Sequence, residues 1–310
     1  VLALLDPEIA AGLTDMPDFA LTVELLPSIR PLVPGPNGAA EGIERTDHVV
    51  DPVDDDGVVV TLHRPAGASG SLPCVYWIHG GGLMIGHRHM DDDDLQRWCR
   101  SFGCACVSVE YRLAPEHPYP IPLEDCYRGL VWLTEHADDL GIDADRIGVG
   151  GRSAGGGLAA ALTMLARDRS GPRLRFQVLD CPMLDDRALW PSRRMDGVPV
   201  WSRESNDLGW RCYLGDRCGT ADVPALAAPG RATAGELTGL PPAFVAVGAV
   251  DVLRDEAVDH ATRLNQAGVP TELHVYAGAP HGALLFPAAA VTGRMVVDID
   301  GFVGRSIART

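Results

Sequence analysis

Arg146-Ile147-Gly148-Val149-Gly150-Gly151-Arg152-Ser153-Ala154-Gly155-Gly156-Gly157-Leu158 is the stretch whose reading decides the fold. The RIGVG run at 146–150 has the composition of a buried strand. From Ala154 to about Asp168 the pattern turns helical, with Leu158, Leu162 and Leu165 at i, i+4 and i+7 on one face. Between the two lies Gly151-Arg152-Ser153-Ala154-Gly155, a Gly-x-Ser-x-Gly motif in the strand-to-helix context that it requires. A chain that turns so sharply needs flanking glycines, because Cβ atoms would clash there. The serine at the apex is presented at the sheet edge, over a helix N-terminus whose dipole favours negative charge. Ser153 is therefore the candidate nucleophile. The plainer alternative is a glycine-rich turn that only packs strand on helix.

Outward from this stretch, strands and helices alternate. Thr61–Arg64 with the valines before it, Pro73–Ile78, Cys104–Tyr111, Phe176–Leu179, Ala243–Val247 and Glu272–Tyr276 read as strands, the first of them after a turn at Asp54–Gly57. Leu123–His136, Arg254–Ala267 and Ala288–Ile307 read as helices. Such alternation predicts an α/β fold whose mainly parallel sheet is covered on both faces, with its site where the carboxyl ends of the strands meet the loops. Two regions fall outside the pattern, residues 1–45 and residues 185–222. The second carries Trp190, Trp201 and Trp210. Both are expected to cover the site as a cap, leaving 46–184 and 223–310 as the core.

A serine hydroxyl needs a base to take its proton. In chain order after Ser153 the base and its acid should follow strands, as His281 follows the last strand and Asp251 follows AFVAV. Asp255 competes as the acid but lies at or inside the next helix, so Asp251 is favoured. His79-Gly80-Gly81-Gly82 follows another strand, and consecutive glycines leave backbone N–H groups free to face a cavity. Those of Gly81 and Gly82, with that of Ala154, are expected to form an oxyanion hole. His79 reads as a loop-fixing residue, and His260 and His274 as structural. His87-x-His89 followed by Asp91–Asp94 offers donors without a known metal spacing and reads as an acidic loop or helix start. No metal or cofactor is expected.

Composition narrows the partners. The 310 residues carry 42 acids against 26 bases, a net charge of −16, which disfavours nucleic acid and anionic membrane surfaces. Every basic residue is Arg. Salt adaptation is one reading of that acidity, and a melting temperature that rises in molar salt is its test. No apolar run approaches the roughly 18 residues that span a bilayer, so stable membrane insertion is not expected. Eight cysteines without a CxxC pair fit reduced thiols and a cytoplasmic setting, with Cys104 and Cys106 as small buried hydrophobes. Cys212 and Cys218 are spaced so that a bridge is feasible, and a chain starting at Val1 is compatible with a removed leader.

Together, HGGG at 79–82, YRLAPEHPYP at 111–120, GRSAGG at 151–156, DVLRDE at 251–256 and His281-Gly282 resemble the hormone-sensitive-lipase family of esterases, in order over about residues 70–285. The resemblance implies a capped α/β-hydrolase fold, a serine esterase acting on short- to medium-chain carboxylic esters, and Ser153, Asp251 and His281 as its triad. It also implies that Gly81, Gly82 and Ala154 are the oxyanion donors, and it carries the expectation of a homodimer through an edge strand or the last helix. Where the family has Asp before the serine, this chain has Arg152. That arginine is expected to pair with a carboxylate such as Glu110 or one from the cap, and Arg152→Asp is expected to fold and keep activity. Asp251-Val252 stands where the family usually has Asp-Pro. Arg112 with Glu116 is the expected ion pair of the YRLAPEHPYP segment. Related acyl substrates (lactone, amide, carbamate) and a non-catalytic binding protein on the same fold are the alternatives.

Overall fold

The computed structural model describes residues 2–13, 21–35, 38–50 and 57–308. Eight strands form one sheet: β1 Ile43–Val50, β2 Val58–Pro65, β3 Leu72–Ile78, β4 Ala105–Glu110, β5 Ile142–Arg152, β6 Gln177–Asp180, β7 Ala243–Val250 and β8 Thr271–Pro280. Their spatial order is β1-β2-β4-β3-β5-β6-β7-β8. β2 pairs antiparallel with both neighbours, and the pairs from β4 through β8 are parallel. Nine α-helices accompany them: α1 Pro7–Gly12, α2 Leu26–Ile29, α3 Asp92–Phe102, α4 Ile121–Glu135, α5 Ala137–Leu140, α6 Ala154–Asp168, α7 Arg203–Leu214, α8 Arg254–Gln266 and α9 Ala290–Ala308, counted among the described residues.

Side chains alternate across a strand, so a sheet buried on both faces must be apolar at every position. β3 shows this directly. Cys74, Tyr76 and Ile78 join the core beneath α4, α6 and α8, while Val75 and Trp77 join the core beneath α3 and α9. The mainly parallel, doubly covered sheet read from the sequence is the one found.

One boundary differs from the sequence reading. The sheet begins at Ile43, inside the segment assigned to the N-terminal excursion, where β1 buries only its two end residues and lacks a continuous apolar run. The run of aspartates at 91–94 opens α3, an 11-residue helix. Acids in a first turn favour a helix through its dipole, and of the two readings of that run, acidic loop or helix start, the helix start is the one found. The turn expected at Asp54–Gly57 lies outside the described residues except for Gly57. Between Asp180 and Ala243 no strand intervenes among the described residues, and the chain makes its excursion through α7 before rejoining the sheet.

Candidate active site

Ser153 sits between β5 and α6 with φ 57° and ψ −119°, a strained conformation for a residue with a Cβ. Backbone bonds hold it there: its N–H donates to Asp180 O at 2.8 Å, and its carbonyl accepts from Gly157 and Met183. The first turn of α6 packs main chain on main chain. A Cβ on Gly155 would lie 2.0 Å from Ile78 O, and one on Gly157 2.0 Å from Met183 O.

His281 follows β8 and Asp251 follows β7, so both reach the same sheet edge as Ser153. His281 Nε2 lies 3.0 Å from Ser153 Oγ, and His281 Nδ1 lies 2.8 Å from Asp251 Oδ2. Asp251 Oδ1 accepts the N–H of Leu253 at 2.9 Å, which fixes the carboxylate. All three side chains are buried. Asp255 does not join them. It accepts the N–H of Ser192 and pairs with Arg254.

The glycine loop after β3 borders the serine, since a Cβ on Gly80 would lie 3.4 Å from Ser153 Cβ. Gly81 and Gly82 have φ of 107° and 61°, and among the described residues neither N–H has a protein acceptor. Ala154 is the first residue of α6, where a helix leaves its N–H groups unpaired. His79 Nδ1 is 2.8 Å from Gly80 O, and its ring stacks on Tyr111 at 4.2 Å. Burial pulls the His79 pKa down, which suits a neutral ring that braces the loop. Tyr111 donates to His79 O at 3.0 Å.

The sequence reading named Trp201 only as one of three cap aromatics, and it gave Cys181 no place at the site. Trp201 presses its ring on Gly82, where an added Cβ would meet Trp201 Cη2 at 2.1 Å. Its ring centroid is 6.1 Å from that of His281, and its Nε1 donates to Asn206 at 3.2 Å. Val200 beside it has φ +70°, rare for a β-branched residue, and touches Gly282 next to the imidazole. The other residue is Cys181, directly after β6. Its Sγ, an Asp251 oxygen and a His281 nitrogen all lie within 4.8 Å of one another. Its place at the carboxyl end of a strand was the available signal.

Arg152 turns away from the triad. Its Nε donates to Asp180 Oδ2 at 2.8 Å and its Nη2 to Asp94 Oδ2 at 2.9 Å, while Nη1 pairs with Asp91. Glu110, the expected partner, binds Arg88 instead. Burial opposes the charge of Arg152, but the three carboxylates outweigh it and push its pKa above the usual arginine value. Arg112 likewise pairs with Asp125 and leaves Glu116 to Arg30. His87 and His89 do not converge on a common point with the acids, since His87 faces Pro34 O and His89 faces Asp92.

A parallel sheet with a serine on a strand–helix turn, and a histidine and an aspartate at its carboxyl edge, defines the class of α/β hydrolases. Residues 75–285 match the family described as alpha/beta hydrolase fold. Carboxylesterase NlhH from Mycobacterium tuberculosis is 38% identical over 245 residues, 76% of each chain. A solved bacterial heroin esterase has a TM-score of 0.93 at 38% identity and covers 99% of both chains. The esterase LipW from Mycobacterium marinum has a TM-score of 0.88 at 34% identity, covering all of this chain and 98% of that one. The chain belongs to the hormone-sensitive-lipase family of α/β hydrolases.

Proposed function

We propose that this carboxylesterase works through an acyl-enzyme on Ser153, with His281 as general base and Asp251 orienting the imidazole. The observation that carries the reading is the relay of 2.8 Å and 3.0 Å from Asp251 through His281 to Ser153. Ser153 Oγ attacks the ester carbonyl as His281 Nε2 takes its proton. The N–H groups of Gly81, Gly82 and Ala154 receive the oxyanion, each contributing about 3 kcal/mol to the transition state. His281 then protonates the leaving alcohol, and water repeats the route on the acyl-enzyme.

Residues 185–222, with the described residues that precede β1, act as the cap, a reading supported for the 185–222 segment by the contact of Trp201 with Gly82. So bulky a wall favours short to medium acyl chains. The eight free thiols support a reducing compartment such as the cytoplasm, and no described helix is long and apolar enough to cross a membrane. Exposed Val275 on the edge strand β8 and Val297 on α9 support a homodimer through that edge, to be read by sedimentation.

The test is hydrolysis of p-nitrophenyl butyrate by the purified chain beside its Ser153→Ala variant. Turnover that vanishes in the variant supports the assignment. Equal turnover by both proteins removes Ser153 from the mechanism.

A further inference from the structure

Cys181 has no part in the ester chemistry, yet it stands against the two residues that prepare the nucleophile. It is a buried non-glycine residue with φ +41°. Among the described residues, two sets of side chains bring three metal-ligating atoms within 4.8 Å of one another. One is Cys99, Cys104 and Cys106, sealed beneath α3. The other is Cys181, Asp251 and His281, which adjoins the substrate side of the sheet, where Ser153 and His281 keep 5% and 7% of their surface exposed.

We propose that Cys181, Asp251 and His281 form an inhibitory zinc site that silences the triad by taking the place of the proton between His281 and Asp251. The inference rests on the reading of Ser153 and His281 as nucleophile and base. Thiolate, imidazole and carboxylate are all accepted zinc ligands, and three protein ligands with a fourth position for water match an open zinc site. Charge favours the exchange. The thiol proton of Cys181 leaves to solvent, and one thiolate with one carboxylate neutralises the dication in a buried place. Zinc takes Nδ1 of His281, the nitrogen already 2.8 Å from Asp251. The ring proton therefore moves to Nε2, which then donates to Ser153 Oγ and no longer accepts its proton.

The experiment has two arms, both under reducing conditions with zinc chloride as probe. In equilibrium dialysis, Ser153→Ala protein is compared with Ser153→Ala/Cys181→Ala. One additional zinc per chain in the first is expected, and the difference cancels any uptake by Cys99, Cys104 and Cys106. In turnover, zinc inhibits the wild type, EDTA restores it, and Cys181→Ala raises the inhibitory concentration at least about tenfold. Cys181→Ser replaces Cys181→Ala in both arms if circular dichroism shows the alanine variant unfolded. Equal zinc uptake with and without Cys181, or equal inhibition, overturns the site. A dialysis difference in a chain without esterase turnover keeps the metal site and removes the reading of the triad instead.

Discussion

Arg152 and Asp180 end neighbouring parallel strands and face each other there, Nε to Oδ2 at 2.8 Å. Around that pair Asp91 and Asp94 from the start of α3 complete a ring of three carboxylates on one guanidinium. The cation beside Ser153 thus ties α3 to the sheet. Removing one member of a buried ion cluster leaves the others uncompensated and destabilises by about 3 kcal/mol. Arg152→Ala is expected to lower the urea midpoint accordingly. Arg152→Asp, expected from the sequence to fold and stay active, would put a fourth carboxylate among three and should be less stable still. A wild-type urea midpoint in the Arg152→Asp protein would sink this account.

The acid of the relay can be separated from its neighbour. Asp251→Asn should lower kcat by about four orders of magnitude, because an amide favours the wrong imidazole tautomer. Asp255→Asn should leave kcat within a few-fold, since Asp255 holds Ser192 and Arg254. Initial rates on p-nitrophenyl butyrate compare the two, and the reverse order would reassign the acid.

Gly82→Ala meets two obstacles, a φ of 61° and the Trp201 ring where its methyl must go. A displaced oxyanion donor should reduce kcat by about 10²–10³. Adding Trp201→Ala relieves the collision but not the backbone, so only part of the loss should return. Full recovery in the double variant would show that the ring alone matters.

Trp201→Ala alone opens the wall beside Gly82. The ratio of kcat/KM for p-nitrophenyl octanoate over butyrate should rise at least about tenfold, the low end for one methylene in an apolar pocket. An unchanged ratio would move the proposed chain-length limit away from Trp201.

Acid should weaken the fold through His260, buried in α8. Burial, and after it the Arg263 cation, pulls its pKa down from 6.5 to about 3. The unfolded chain therefore binds the proton first, and stability falls as pH drops from about 6.5 towards 3. Each unit inside that window removes about 1.4 kcal/mol. His260→Leu should flatten the fall, as read from urea midpoints between about pH 4 and 7. A variant with the wild-type slope would place the acid sensitivity in other groups.

What the sequence made legible was local. The strand, turn and helix around Ser153 announce themselves in a dozen consecutive residues. His281 and Asp251 follow because chain order and strand ends constrain them. Partners chosen across the fold were not legible. Arg152 met Asp91, Asp94 and Asp180 rather than Glu110, and Arg112 met Asp125 rather than Glu116. An arginine's sequence context gives its charge but not the direction of its long side chain, and reading the acids at 91–94 as an acidic loop or helix start says nothing of the helix bringing them against β5 and β6. Trp201 was assigned to the cap as one aromatic among three, since only packing distinguishes the ring that touches Gly82.

The abutment of Gly155 on Ile78 O and of Gly157 on Met183 O has a consequence for anyone altering this enzyme. Peptide planes have no rotamers to trade, so this joint works as a fixed datum from which the serine is measured. Leucines and valines farther out can be exchanged, and heat tolerance raised or lowered, while Ser153 Oγ keeps its coordinates. Stability and reaction geometry are therefore separately adjustable here, and a library confined to side chains of the two cores should change the temperature at which the enzyme fails before it changes what the enzyme does.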